Sequence, residues 1–349
     1  WTRPAPPGTG RWSGRWRRCG RTWSTSSTSS ASTPSCSSRG CTTSPRNAFE
    51  LALPLYRWRL AGLPAVVTYH SVFSRLTYEE AVYYDHVMAL AAANILHEPY
   101  QRTHLPCNLG RVPDNVHVIP HGAGRQRPDP ARVRALRAEL GLGRRPVLGL
   151  MGWWEPNKGF ERVIDLWPEV VRRVPEAVLV LAGEARPGSP TGPATRDDYL
   201  ARVAASPARD AIRVVRGTFS KEEYLAVMGT FDVAALPYHH ASQSGNLAHA
   251  YQVGLPVIVA GLEGLKSSVE ASRAGLVVND DGELLEAMVR LLGDASLRRA
   301  YAAAARRYVR RVIAWDRVAR RHLEVYRRAA RALRAAAADR RYLRHRVHV

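Results

Sequence analysis

The chain has 349 residues, enough for two domains of ordinary size, each with its own core. Its formal net charge of +21 is confined to the ends: residues 1–46 hold eight Arg and no acid, and residues 296–349 hold seventeen Arg against three acids, which leaves 47–295 close to neutral. Charge so placed, with only three Lys among 51 basic residues and no recognised binding motif, argues against a nucleic-acid-binding protein, and no apolar run approaches the roughly 18 residues of a membrane span.

Residues 1–46 contain no Leu, Ile, Val, Met or Phe and include the low-complexity run WSTSSTSSASTPSCSS. Such a stretch cannot supply core strands. Two readings stand: a disordered segment, or one translated in the wrong frame, since four Trp and three Cys are unusual in a linker. Cys19, Cys36, Cys41 and Cys107 match no zinc spacing, and without a secretory context they are not read as disulfides. The first residues lack the apolar middle of a secretory signal, so the expected compartment is the cytoplasm.

From residue 47 the pattern becomes globular. AVVTYHSVF predicts a strand, 78–93 a helix, NILHEP a second strand, Pro99 the start of a short helix, and VHVIPHG a third strand ending at Gly122. The polar, Pro-punctuated stretch from Ala123 through Pro130 predicts a linker, followed by a helix over 131–140. Strands are then predicted at 147–151, 177–182, 212–215, 233–236, 257–260 and 276–278, with helices over 160–174, 197–205, 221–229 and 245–253. Short aliphatic strands alternating with helices imply α/β architecture with a parallel sheet covered on both faces. The domains expected are a partial N-terminal one (47–122), a linker and helix (123–145), a C-terminal one (146–295) and Arg-rich helices (296–349). In the last of these Trp315, Val318, His322, Val325 and Tyr326 recur at helical spacing, and the Arg-rich end is a candidate surface for anionic lipid headgroups.

Two strand–loop–helix units carry the candidate chemistry. In PVLGLMGWWEPNKGF the strand runs out at Gly152, and Lys158-Gly159 opens the next helix. An ammonium there joins the free N–H groups of a helix start, a pairing suited to a diphosphate. In VAALPYHHASQSGNLAHAYQVG, Gln243, Ser244, Gly245 and Asn246 precede a helix. Gly245 would let a ligand approach the backbone, and Ser244 would cap the helix or donate to phosphate. Ligands of such sheets bind beyond the carboxyl ends of the strands, where both loops fall. His70, at the end of the first strand, could bond a substrate hydroxyl or move a proton. His239, His240 and His249 have no carboxylate at suitable spacing, so no metal site is expected.

Taken in order, VVTYHSVF, NVHVIPHG, the GWWEPNKGF turn, AVLVLAGE, IRVVRGTFSKEEYLAVMGTFDVAALPY, QSGNLAHAYQVGLPVIVA, AGLVV and WDRVARRHLEVY resemble the retaining, GT4-like glycosyltransferases (glycosyl transferases group 1) over about residues 66–326. The resemblance implies a GT-B fold: two facing Rossmann-like domains, a nucleotide-diphosphate sugar held mainly by the second, and an acceptor (glycan, lipid or small molecule) against the first. It implies no cofactor and no metal. Lys158 would contact the donor diphosphate, and Ser244, Gly245 and Asn246 would lie by their amides near the donor phosphates or sugar. Residues 217–220, with Gly217, Thr218 and Phe219, would border the base, and His70 would stand beside the transferred sugar. His121-Gly122 matches the hinge end of the first domain. The chain departs from the family at three positions. Trp153 stands where an Arg is usual, and His249 and Ala241 stand where two Glu are usual, so this is a variant with a Gln-Ser-Gly turn in place of the acidic loop. Trp153 or Trp154 is expected to offer the donor an apolar face. The family also places more units before its histidine strand than 47–64 can supply, so the first domain is expected to be short. The alternative function is therefore a nucleotide-sugar-binding protein that turns over poorly.

Overall fold

The computed structural model describes residues 45–346, with side chains over 52–332. The expectations for the low-complexity run and for Cys19, Cys36 and Cys41 lie outside the described residues.

The N-terminal half begins with α1 (Pro45–Leu60), followed by β1 (Val66–Tyr69), α2 (Tyr78–Leu90), β2 (Ala93–Leu96), α3 (Pro99–Thr103), α4 (Leu105–Leu109) and β3 (Val116–Val118). The three strands form a parallel sheet in the order β1-β2-β3, with Val66 opposite Ala93 and Asn94 opposite Val116. The start of α2 is set locally. Thr77 accepts from the Glu80 amide while the Glu80 carboxylate accepts from the Thr77 amide, so two otherwise orphaned donors are satisfied. At its other end the predicted helix stops three residues early, because Ala93 is drawn into β2.

The second half continues through α5 (Pro130–Glu139), β4 (Val147–Trp153), α6 (Phe160–Arg173), β5 (Val178–Glu184), α7 (Gly192–Ala205), β6 (Ile212–Arg216), α8 (Lys221–Gly229) and β7 (Val233–Leu236). It then runs through α9 (Gly245–Val253), β8 (Val257–Ala260), α10 (Glu263–Ser272), β9 (Gly275–Val278), α11 (Asp281–Gly293) and α12 (Ala295–Tyr308). Six parallel strands are ordered β6-β5-β4-β7-β8-β9. The chain winds outward from β4 in one direction, returns, and winds outward from β7 in the other. The switch point therefore lies between β4 and β7, where adjacent loops diverge and leave a crevice. Continuous runs such as VLGLM and VLVLAG are buried on both faces, as a helix-covered parallel sheet requires.

Among the helices not legible beforehand are α1 and α10. In α1 an internal Pro54 and an exposed apolar surface hide the period, and in α10 the sequence EGLKSSVEAS shows only Leu265 and Val269 as buried anchors. The last helix, α13 (Trp315–Arg346), returns to the first half. Ala123 and Ala314 form an isolated parallel bridge, and Val318, Val325 and Ala329 pack on Ala93, Ile95 and Ile119. The buried face is thus narrower than expected: Trp315 and Tyr326 lie outside it, 52% and 43% exposed.

Candidate functional site

Lys158 ends a single 3-10 turn (Pro156–Lys158) between β4 and α6. Gly159 takes the left-handed conformation (φ 61°), and a Cβ there would lie 2.2 Å from the Pro237 carbonyl oxygen. Only glycine fits this position, which pins the lysine turn against the strand end of β7. The Lys158 ammonium lies 4.1 Å from the centroid of the buried Tyr238 ring. Among the described residues it makes no ion pair, so a half-buried cation stands at the switch point with only an aromatic face to compensate it.

Across the crevice, Ser244 caps α9: its Oγ accepts from the Leu247 amide, and the other first-turn N–H groups are left for a ligand or solvent. Asn246 does something sequence reasoning did not anticipate. Its Nδ2 donates to the Met151 carbonyl (2.7 Å) and to the Tyr238 hydroxyl (3.2 Å), and its Oδ1 accepts from the Tyr224 hydroxyl (2.7 Å). This side chain bridges β4, α8 and the β7 loop, so only its backbone remains for a ligand. Gly152 (φ 131°) is required beside it, because a Cβ would lie 2.5 Å from Asn246 Nδ2.

Trp153 is exposed at the end of β4, whereas Trp154 is wholly buried, packed on Tyr199. Trp154 therefore cannot offer a donor its face; the chain turns inward there as the Trp154 amide bonds the Glu184 carbonyl. Gly217 donates its amide to the Gly183 carbonyl, Thr218 is exposed, and Phe219 packs on the core. Ser220 caps α8 through the Glu223 amide. His249 is turned toward α8, with its ring 5.4 Å from Tyr224, and burial lowers its pKa. The three histidines of the second loop diverge: His239 pairs with Glu161 and His240 stacks on Phe73 (4.2 Å).

From the first half, His70 reaches the second loop. Ser242 Oγ donates to the His70 carbonyl (2.8 Å), and Gln243 Nε2 lies 3.5 Å from His70 Nδ1. Two more histidines surround it, with ring centroids 4.6 Å (His97) and 6.0 Å (His121) away. The Nδ1 atoms of His97 and His121 each meet a backbone carbonyl, of Ile119 and Gly122, at 2.9 Å. A carbonyl only accepts, so Nδ1 carries the proton in both rings and Nε2 keeps a lone pair. Burial holds the His97 pKa at about 4 and also lowers that of His121. His97, Tyr238 and Tyr224 are the site residues that the sequence did not announce. The strand-end position of His97 in NILHEP, equivalent to that of His70, was the available signal.

Two parallel-sheet halves, with a cation and a helix start at the switch point of the second and a histidine strand of the first facing them, define a GT-B fold. A crystal structure of Anabaena HepE in complex with UDP has the same fold (TM-score 0.69, 18% identity, 80% of this chain and 76% of that one). So does sucrose-phosphate synthase from Thermosynechococcus elongatus (TM-score 0.66, 22% identity, 79% and 71%). Residues 145–294 match the family model of the glycosyl transferases group 1. The chain is 27% identical over 262 residues to alpha-D-kanosaminyltransferase of Streptomyces kanamyceticus, covering 70% of this chain and 65% of that protein. With the D-inositol 3-phosphate glycosyltransferase of Nocardia farcinica it shares 28% over 208 residues, covering 58% and 44%. The chain thus spans less than two thirds of the length of these relatives. Among the described residues no helix is long and apolar enough to cross a membrane.

Proposed function

We propose that this chain transfers a sugar from a nucleotide-diphosphate sugar to a glycan, lipid or small-molecule acceptor, with retention at the anomeric carbon. The observation that carries this reading is the Lys158 ammonium, which has no ion pair among the described residues and stands at the switch point opposite the N-terminal turn of α9. When the anomeric C–O bond breaks, the electron pair leaves with the diphosphate, and negative charge grows on its oxygens. Lys158 and the first-turn N–H groups of α9 are already oriented there, so stabilising that charge needs no reorganisation. Gln243, Ser244 and Gly245 line the same turn, while Gly217, Thr218 and Phe219 are assigned to the base and Trp153 to an apolar donor contact. His70 hydrogen-bonds the transferred sugar. The relatives, each named as a transferase of a sugar, support the reaction class, and the fold neighbour HepE, solved in complex with UDP-glucose, supports the donor class. In this reading the protein works in the cytoplasm, and its Arg-rich C-terminal helix is a candidate contact for anionic lipid.

The test is turnover of UDP-, GDP- and ADP-sugars, followed as release of the nucleoside diphosphate. Lys158→Met should lower the rate by roughly 100–1000-fold, the size expected for a lost transition-state charge partner. Undiminished turnover by that variant would remove the diphosphate role of Lys158. Calorimetric binding of the nucleotide without turnover of any sugar would instead favour a binding protein.

A further inference from the structure

The two halves meet over a buried carboxyl that the proposed chemistry does not use. Glu98, between β2 and α3, is 7% exposed. Its Oε2 accepts from Ser267 Oγ (2.7 Å) and its Oε1 from Ser268 Oγ (3.0 Å), both on α10 of the second half. Around it stand Tyr100 on α3, Tyr251 on α9, Tyr308 on α12 and His121. The other charged groups of α10 are engaged elsewhere, Glu263 with His104 and Lys266 with Glu270. Among the described residues no cation pairs with Glu98.

α10 is also the floor of the Gln243 turn. A Cβ on Gly264 would lie 2.3 Å from the Ser242 carbonyl oxygen and 3.0 Å from the Gln243 amide nitrogen, so the two backbones are in direct contact. From the other side the Tyr100 hydroxyl, two residues beyond Glu98, donates to the Ser242 carbonyl (2.6 Å). Ser242 in turn donates to the His70 carbonyl. Glu98, α10 and the 242–244 turn therefore form one closed circuit across the domain interface.

We propose that Glu98 is a positioning residue for this turn: through Ser267 and Ser268 it holds α10 to the first half, and α10 holds residues 242–244 against His70. The functional meaning rests on the turn being the donor site; the latch itself does not. Burial pushes the carboxyl up to about 7, opposed by the two serine donors. The closed interface therefore favours the protonated form. Its grip is complete below the ordinary carboxylate range, weakens as pH rises toward 7, and is constant above that. His97 does not interfere over this range, because it stays neutral down to about 4.

Hydrogen exchange of the full chain between pH 5.5 and 8.0, corrected for intrinsic rates, tests this. Protection of the amides of residues 242–247 and 264–270 should fall by up to about tenfold per pH unit up to 7 and then level off, the limit for one linked proton. Glu98→Gln, a neutral isostere that still bonds both serines, should hold low-pH protection throughout, while Glu98→Ala should lose protection at every pH. Identical pH profiles for the native and Gln proteins would overturn the latch, and that comparison suffices if the Ala variant fails to fold. UDP affinity should follow the same profile. The expected exchange profile without UDP binding at any pH would support the latch and defeat the donor reading.

Discussion

Replacing Asn246 separates what holds the site from what the site holds. In Asn246→Ala, the Met151 carbonyl and the Tyr238 hydroxyl lose a donor, and the Tyr224 hydroxyl loses its acceptor. Three hydrogen bonds at about 0.5–1.5 kcal/mol net each, with Tyr224 left unsatisfied in a buried position, amount to about 2–4 kcal/mol. For a domain of this size that is a fall of roughly 5–10 °C in Tm. Lys158→Met should behave oppositely. Only a cation–π contact of about 0.5–1 kcal/mol is lost, so Tm should move by under about 3 °C while nucleotide affinity collapses. Paired thermal unfolding and UDP calorimetry on the two variants provide the assay. If Asn246→Ala melts with the native protein, the bracket joining β4, α8 and the β7 loop is not structural. If Lys158→Met binds UDP normally, the cation does not face the diphosphate.

Gly159→Ala would put a Cβ 2.2 Å from the Pro237 oxygen at a left-handed φ, so the lysine turn must shift; nucleotide binding should be impaired with α6 retained in the circular dichroism spectrum. Because burial holds His97 well below the ordinary imidazole range, its contribution to stability is complete above about 6.5 and is lost as pH falls toward 4. Urea unfolding between pH 7 and 4 should show that loss in the native protein, and less of it in His97→Asn. Removing residues 331–349 should abolish association with anionic vesicles at low salt; unchanged, salt-sensitive binding would move the contact elsewhere.

Much of the second half could be read directly, because a buried parallel strand must be an uninterrupted aliphatic run and its helices must show a 3.6-residue period. VLVLAGE and VIVA leave little choice, and Lys158 and Ser244 were placed by their positions after such strands. The helix α10 escaped notice, since two serines that bond a carboxylate 169 and 170 residues away look like ordinary surface polarity in a linear chain. Trp153 and Trp154 were indistinguishable as neighbours, although the backbone turn at Trp154 sends one outward and the other into the core.

The sequence alone determined the strand–loop–helix units, the lysine and the glycine-bearing turns, since these depend on local periodicity and backbone freedom. The tertiary structure decided which polar groups are spent on the scaffold. Asn246 proved to be a bracket and Glu98 a buried joint between halves, while Lys158 has no counter-charge among the described residues. Whether a polar side chain is satisfied depends on partners scores of residues away, and only folding brings them within hydrogen-bonding distance.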